Sequence, residues 1–155
     1  MIRSAMRIKV LALLASIALM ALASEDMESR ILGNWLTEPK DGIIQITRTA
    51  PAVYTGRIVG GNHPGRVDAK NPDPALRNKS LRGRIILRDL RYGGDGKWSG
   101  GTIYDPESGR TYKCLVELVS PDTLKLRGFI GIPLLGKEQI WTRYRGDSME
   151  LPPAG

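Results

Sequence analysis

The feature that most constrains this chain is a series of short segments rich in β-branched and aromatic residues, each bounded by Gly, Pro, Asp or Asn. After residue 30, no window long enough for an amphipathic helix keeps its apolar residues three and four apart without a Gly or Pro. The segments therefore predict eight strands. These are Gly33–Glu38, Gly42–Thr49, Ala52–Val59, Gly83–Leu90, Lys97–Asp105, Thr111–Val119, Thr123–Ile130 and Lys137–Tyr144.

Most connections between these strands are tight turns. Segments such as Thr49–Ala52 and Gly93–Gly96 contain Pro, which presets φ, or Gly, which accepts positive φ. Loops of about two to five residues join antiparallel neighbours, whereas parallel pairs need crossovers of about a dozen residues. The sequence therefore predicts an all-β fold, an eight-stranded antiparallel up-and-down barrel that has no free sheet edge. The interior of such a barrel is filled by side chains or holds one small ligand.

One connection is much longer than the others, because the 23 residues from Gly60 to Arg82 carry no strand pattern. A loop of this length in a compact domain is usually functional or disordered. Asp73 is a suitable helix N-cap and Pro74 suits the first helical position, which favours an ordered flap over one barrel end. Three apolar side chains are expected to anchor it, with Leu76 pointing inward: Val67, Leu76 and Leu81.

The first 23 residues are expected to lie outside the barrel. Three cations precede an apolar run from Val10 to Ala23 that ends in small residues, which is typical of a secretory signal peptide. The run has 14 residues, and a membrane-spanning helix needs about 20. We therefore expect cleavage near Ala23 and a periplasmic or secreted single domain over 24–155. Its termini, 24–30 and from about 146, are expected to be loose.

Removing this segment lowers the formal net charge from +7 to +4, so the high pI is no evidence for nucleic acid binding. The chain has only nine aromatic residues, which makes stacking platforms for nucleic acid improbable. Nothing in the sequence indicates an oligomeric state.

Few residues suit catalysis or metal binding. Cys114 has no partner, and strand alternation places it between Tyr112 and Val116 on the more apolar face, as a buried thiol or, alternatively, a reactive one. His63 is the only imidazole and lies in a Gly/Pro turn, which favours a surface position. No His/Cys cluster has zinc spacing. We therefore assign no catalytic residue, metal or cofactor.

Polar residues at ordered positions form the candidate ligand-binding set. In one interpretation they are structural: Asp68 and Asn71 bond the backbone of the long loop, and Arg77 pairs with a strand-end carboxylate. In a second, they form the rim of a pocket whose entry the loop gates. In a third, paired carboxylates act as acid and base. The set is Asp68, Lys70, Asn71, Asp73, Arg77, Tyr104, Asp105, Tyr112 and Arg127.

Cations crowd the predicted fourth strand. By period two, Arg82, Arg84 and Arg88 share a face with Ile86, and the opposite face carries Ile85, Leu87 and Asp89. A solvated outer face is the simpler interpretation. An anionic envelope partner, such as lipopolysaccharide headgroups or peptidoglycan, is the alternative.

The two ends of the domain resemble the lipocalin-type (calycin) barrels. Gly33-Asn34-Trp35 opens the first strand, and Arg143 follows Trp141 in the last. In those barrels an Arg from the final strand packs on the Trp of a Gly-x-Trp motif. The resemblance implies that Arg143 stacks on Trp35 and closes one end, a cation–π contact of roughly 0.5–2 kcal/mol. The residues with this structural role are Gly33, Trp35, Trp141 and Arg143.

Over nearly all of its length after residue 23, the chain resembles a bacterial family of small exported proteins described as a domain of unknown function. The matching stretches are Asp68–Arg77, Gly100–Gly109 with Tyr112, and Arg127–Gly136 with Trp141. The resemblance implies a calycin-like barrel in the cell envelope and carries no activity. We therefore predict a non-catalytic binding barrel for a small molecule or envelope component. The alternatives are a structural or protein-interaction module with a side-chain-filled barrel, and a hydrolase that uses carboxylates of the long loop.

Overall fold

The computed structural model describes residues 13–14, 16, 18–20, 26–38 and 40–152. The cleavage site predicted after Ala23 and most of the signal segment lie outside the described residues. Among the residues described, no helix is long and apolar enough to span a membrane. The strands are β1 (Gly33–Leu36), β2 (Gly42–Ala50), β3 (Val53–Gly61), β4 (Ile85–Gly94), β5 (Lys97–Asp105), β6 (Arg110–Ser120), β7 (Thr123–Phe129) and β8 (Lys137–Arg143).

The eight strands form a closed antiparallel barrel in which each strand pairs with its neighbours in sequence. The barrel closes between β1 and β8, where Trp35 lies opposite Arg143 and Leu36 opposite Thr142. The predicted fold and strand number are therefore confirmed. β4 runs four residues beyond its predicted end, because Asp95 and Gly96 alone form the turn, both with the positive φ of a tight hairpin.

The face assignment of the predicted fourth strand was wrong at three positions, Arg84, Ile86 and Asp89, the last of which is exposed. Ile86 and Leu87 are consecutive and both buried, since the register with β3 shifts between Gly56 and Arg57. Such a β-bulge inserts one residue and breaks the alternation of side chains between the two faces. Arg84 therefore pairs with a fully buried carboxylate instead of joining a solvated outer face. The members of the predicted outer face that are exposed are Arg82 and Arg88.

The barrel core consists of aliphatic side chains around three buried tryptophans, Trp35, Trp98 and Trp141. Cys114 belongs to this core, and burial raises the pKa of its thiol to about 12. A thiol with such a pKa stays protonated and unreactive near neutral pH. The prediction of a buried, hydrophobic Cys114 is confirmed.

The segments at 26–30 and 149–151, which flank the barrel strands, are more ordered than expected. Residues 26–29 form a helical turn, and Glu28 accepts a hydrogen bond from the Tyr54 hydroxyl at 2.5 Å. For the second segment, the Gly61 N–H donates to the Met149 carbonyl at 3.0 Å, and the Leu151 N–H donates to the Gly61 carbonyl at 3.1 Å. The expectation of loose segments at 24–30 and after 146 is therefore corrected for 26–30 and 149–151. Each gains order from tertiary contacts that local composition does not encode.

The long loop between β3 and β4 spans 62–84 and has its own hydrogen-bonded structure. Val67 bridges Ser80, and the Asp68 N–H donates to the Lys79 carbonyl at 2.9 Å. A 3-10 helix, Pro74–Leu76, has Asp73 as its N-cap, whose carboxylate accepts the Ala75 N–H at 2.9 Å. The predicted cap and helix start are confirmed.

The predicted apolar anchors of the long loop differ in burial. Leu81 is buried, and Leu76 is half-buried. Val67 is 41% exposed, so its assignment as an anchor was wrong. Val67 lies in the bridge to Ser80 at the outer side of the loop, whereas Leu81 lines the barrel interior.

Candidate functional site

The barrel encloses a cavity of about 440 Å³ that opens at one end. We call this the open end; it carries the β1–β2, β3–β4, β5–β6 and β7–β8 connections. Alternate residues of the strands point inward and give the cavity an apolar wall. This wall includes Ile44, Ile58, Ile86, Ile103, Leu126, Phe129 and Trp141.

The cavity mouth is polar and carries both charge signs. Arg66 of the long loop forms ion pairs with Glu107 of the β5–β6 turn and, at 3.9 Å, with Asp41 of the β1–β2 turn. These two pairs connect three separate loops across the mouth. Further polar residues lining the cavity are His63, Arg82, Tyr104, Asp105, Tyr112, Lys137, Gln139 and Glu150.

A buried polar network beside the mouth connects the long loop to the barrel. The Asp68 carboxylate is completely buried and accepts hydrogen bonds from the Tyr104 hydroxyl at 2.5 Å and the Asn71 side-chain amide at 2.6 Å. It also forms an ion pair with Arg84 at 2.7 Å. A buried carboxylate is tolerated only when it is paired and hydrogen-bonded in this way.

Arg84 also contacts the Tyr104 ring, with its guanidinium carbon 5.3 Å from the ring centroid. Burial, followed by the hydrogen bond to Asp68, raises the pKa of Tyr104 to about 12. Tyr104 is therefore a neutral hydrogen-bond donor over the physiological range. Both oxygens of the Asp68 carboxylate are engaged by neighbouring side chains, and Asp68 does not line the cavity.

Of the nine predicted site residues, Tyr104, Asp105 and Tyr112 line the cavity. Asp105 also holds its own turn, because its carboxylate accepts the Glu107 N–H at 2.9 Å and the Ser108 hydroxyl at 2.6 Å. Asp105 therefore both lines the cavity and stabilises the turn that follows β5.

The remaining members of the set lie away from the cavity. Lys70 and Asp73 are exposed on the long loop. Arg77 donates from Nε to the Asn71 carbonyl at 2.9 Å, so its expected pairing with a strand-end carboxylate was wrong. Arg127 forms an ion pair with Glu138 of β8 and does not line the cavity.

The long loop approaches the β5–β6 turn very closely at Gly109. Gly109 has φ +69, and a Cβ built on it would lie 1.9 Å from the Lys70 carbonyl oxygen. Only glycine fits both this backbone conformation and this spacing. The contact places the long loop beside the mouth.

The opposite, closed end is sealed by Trp35 and Arg143. The guanidinium carbon of Arg143 lies 4.1 Å from the Trp35 ring, and the indole N–H donates to the Ile31 carbonyl at 2.8 Å. Gly33 has φ +114, and a Cβ there would lie 3.2 Å from Arg143 Nη1. Trp141 lies nearer the centre, lines the cavity and donates to Gln139.

Arg143 also donates to three main-chain carbonyls, which ties the N-terminal segment to the barrel. These bonds reach Leu32 at 3.0 Å, Arg30 at 2.6 Å and Pro121 at 3.0 Å. Partial burial lowers the pKa of Arg143.

Several residues of this site were missed by sequence reasoning. His63 is exposed, as its Gly/Pro turn predicted, and it also lines the cavity mouth. Of the residues that were missed, Arg84 was assigned to the outer face of its strand, and Arg66 and Glu107 to no role. One signal could have found the last two. In an up-and-down barrel every second connection lies at the same end, so the β3–β4 loop and the β5–β6 turn must be neighbours. No comparable signal indicates the β-bulge that turns Ile86 inward.

Comparisons with known proteins agree with this architecture. The model of a family described as "Uncharacterized protein conserved in bacteria (DUF2147)" matches residues 33–143. No curated protein matches the chain. Among solved structures, the chain is similar to protein HP1028 from the human pathogen Helicobacter pylori, described as belonging to the lipocalin family. The TM-score is 0.65 at 23% identity, over 74% of this chain and 82% of that chain, which shows a shared fold.

Proposed function

Because the chain belongs to the bacterial DUF2147 family and folds as a lipocalin-like barrel, we propose that it is an exported, non-catalytic protein that binds one small molecule inside the barrel. The observation that carries this proposal is the cavity of about 440 Å³, with its apolar wall and polar mouth. Small-molecule sites are typically apolar clefts of about 300–1,000 Å³ with a few polar groups that orient the ligand.

The lining indicates the chemistry of the ligand. The deep wall offers aliphatic side chains and the Trp141 ring, which favour an apolar body. The mouth offers both charge signs at Arg66 and Glu107. We therefore propose an amphipathic ligand with its polar group at the open end. A free metabolite and a lipid of the cell envelope share this chemistry.

The other two interpretations have less support. A structural module was expected to have a side-chain-filled barrel, and the described residues enclose a cavity instead. A hydrolase was expected to use carboxylates of the long loop, and the Asp68 carboxylate is saturated with partners outside the cavity.

Native mass spectrometry of the chain over residues 24–155, after incubation with mixed lipids and metabolites, tests the proposal. We expect a retained small molecule. Ile103→Trp fills the cavity and should lower retention about tenfold or more, because an overpacked site cannot accommodate the ligand. Thr102→Trp is the matched control, since Thr102 is its neighbour on β5 and does not line the cavity.

Absence of any retained molecule in the wild type, or equal losses in the two variants, would contradict the binding proposal. The proposal of export rests on the signal-type segment before Ser24. Protein purified from the cell envelope should have the mass of a chain that begins at Ser24, and the mass of a chain that begins at Met1 would reject export with cleavage.

A further inference from the structure

We propose that the β7–β8 loop docks this protein onto the surface of a membrane that contains anionic phospholipid. The docking surface, here called the apolar tip, consists of Ile130, Ile132, Leu134 and Leu135. This docking is supported by the exposure, fixed shape and surrounding charge of the loop. It does not require a ligand in the cavity.

The apolar tip exposes four large aliphatic side chains on one short segment. Their exposed fractions are 67% for Ile130, 56% for Ile132, 80% for Leu134 and 77% for Leu135. The residues between these and up to Gly136 are Gly and Pro, so 130–136 contains no polar side chain. Scattered exposed apolar residues are normal, whereas a contiguous group marks an interaction site.

The shape of the tip is fixed. Pro133–Leu135 forms a 3-10 helix, closed by hydrogen bonds from the Leu135 N–H to the Ile132 carbonyl at 3.3 Å and from the Gly136 N–H to the Pro133 carbonyl at 3.0 Å. Arg127 donates from Nη1 to the Pro133 carbonyl at 3.3 Å. The loop therefore holds its apolar side chains outward, while the barrel wall bonds its backbone.

The strand positions that flank the tip are mainly cationic. Lys137 follows the tip directly, and Lys113 of β6 lies opposite Phe129, which precedes it. Both lysines are exposed, and within the described part of the chain neither forms an ion pair. Arg127 is balanced by Glu138. The flanks thus carry two uncompensated positive charges, which complement an anionic phospholipid surface.

A membrane suits the tip better than a protein partner does. A stable protein interface buries about 800 Å² on each side and is enriched in aromatic residues and Arg. The tip offers one short loop with aliphatic side chains and no aromatic residue. Shallow insertion between lipid headgroups needs only a small apolar area with cations beside it. Ile130 and Leu135 also line the cavity, so a docked protein has its open end at the lipid.

Vesicle co-sedimentation of the chain over residues 24–155 tests the inference. We expect binding to phosphatidylethanolamine–phosphatidylglycerol vesicles and weaker binding to pure phosphatidylcholine vesicles. The double variant Ile132→Ser with Leu134→Ser should lower the partition constant about tenfold or more, because it removes apolar area from the tip. Val119→Ser is the matched control: Val119 is also 56% exposed but lies at the closed end, and its substitution should change nothing.

Lys137→Glu should weaken binding to the anionic vesicles and leave binding to phosphatidylcholine unchanged. No binding by the wild type, or an equal loss in the Val119→Ser control, would overturn the inference. It would also be overturned if the wild type self-associated without lipid and the double variant were monomeric, since the tip would then be a contact between copies. Ligand retention, measured on the same double variant, should be unchanged, which separates a failure of docking from a failure of the cavity proposal.

Discussion

A hydrogen bond from a tyrosine hydroxyl to a carboxylate occurs at both ends of the barrel, although one end is sealed and the other is open. At the closed end the Tyr54 hydroxyl donates to Glu28 at 2.5 Å, and at the open end the Tyr104 hydroxyl donates to Asp68 at 2.5 Å. The first pair fixes the N-terminal turn at the sealed end of the barrel. The second fixes the long loop beside a mouth that stays open. A tyrosine–carboxylate hydrogen bond therefore does not determine whether an end of the barrel is sealed.

The two ends differ in what occupies the barrel interior. At the closed end, an indole occupies the interior, and Arg143 bonds main-chain carbonyls of the segment that precedes β1. At the open end, Arg84 and Asp68 meet outside the cavity, and the long loop satisfies its own backbone groups. A loop that is bonded internally can lie beside the mouth without plugging it.

The largest effect is expected at the closed end. Trp35→Ala removes a completely buried indole and should lower the free energy of unfolding by about 3–5 kcal/mol, as for other buried aromatics. Arg143→Ala should cost about 1–3 kcal/mol, because it strands three carbonyl acceptors. Urea unfolding of the single and double variants measures both, and the double variant should be non-additive.

Arg145→Ala is the control for this cycle. Arg145 pairs with the same Asp122 as Arg143 but, within the described residues, stacks on no aromatic ring, so its removal should leave stability essentially unchanged. Strict additivity between the Trp35 and Arg143 substitutions would contradict the cation–π seal.

An intermediate effect is expected at the open end. Asp68→Ala leaves the Tyr104 hydroxyl, the Asn71 amide and Arg84 without their shared acceptor, and should cost about 1–3 kcal/mol. Hydrogen exchange over 66–81 should accelerate as well, because the network attaches the long loop to the barrel. Urea unfolding and exchange of the same variant measure these two changes.

Arg77→Ala is the matched control on the same loop. Among the described residues, its guanidinium bonds the Asn71 carbonyl alone, and Arg77 is exposed, so little change in stability is expected. The gating hypothesis, in which these residues serve a ligand, requires a different pattern. Both substitutions would then weaken ligand retention while moving stability little.

The barrel was predictable because its signals are local. Each hairpin is encoded by an alternating run and a turn such as Asp95–Gly96. The contact of Arg143 with Trp35 was expected only from the resemblance to lipocalin-type barrels. The site was predictable only in part. Tyr104 and Tyr112 were predicted correctly because they lie on regular strand faces. Arg84 was assigned to the wrong face because a β-bulge breaks the alternation, and no single residue in the sequence indicates that bulge.

The polarity of the mouth depends on contacts between distant loops. Arg66 meets Glu107 across 41 residues, and Gly61, at the end of β3, meets Met149 beyond the end of β8. Such pairings depend on barrel closure and strand stagger, which are properties of the assembled sheet. Local composition therefore predicted a loose tail, whereas Met149 and Leu151 are hydrogen-bonded to Gly61 of the barrel.

The smallest expected effect is a difference between the pKa values of Tyr104 and Tyr54, the tyrosines of the two tyrosine–carboxylate pairs. Burial is the main cause that raises the pKa of Tyr104 to about 12, and burial raises the pKa of Tyr54 still further. An unfolded tyrosine titrates near pH 10, so between about pH 10 and 12 the folded chain holds more protons than the unfolded chain. The free energy of unfolding should therefore fall as the pH rises through this window, and be fully retained below it.

Tyrosinate absorbance after a stopped-flow jump to alkaline pH reports both groups before the chain unfolds. Of the two titration steps that belong to these tyrosines, Tyr104→Phe should remove the one at lower pH, and Tyr54→Phe should remove the one at higher pH. Asp68→Asn should lower the pKa of Tyr104 and leave that of Tyr54 unchanged, because the carboxylate raises the pKa of Tyr104 alone. A shift of both steps in Asp68→Asn would mean that the two ends of the barrel are coupled, and that the sealed end does not hold its structure independently of the open one.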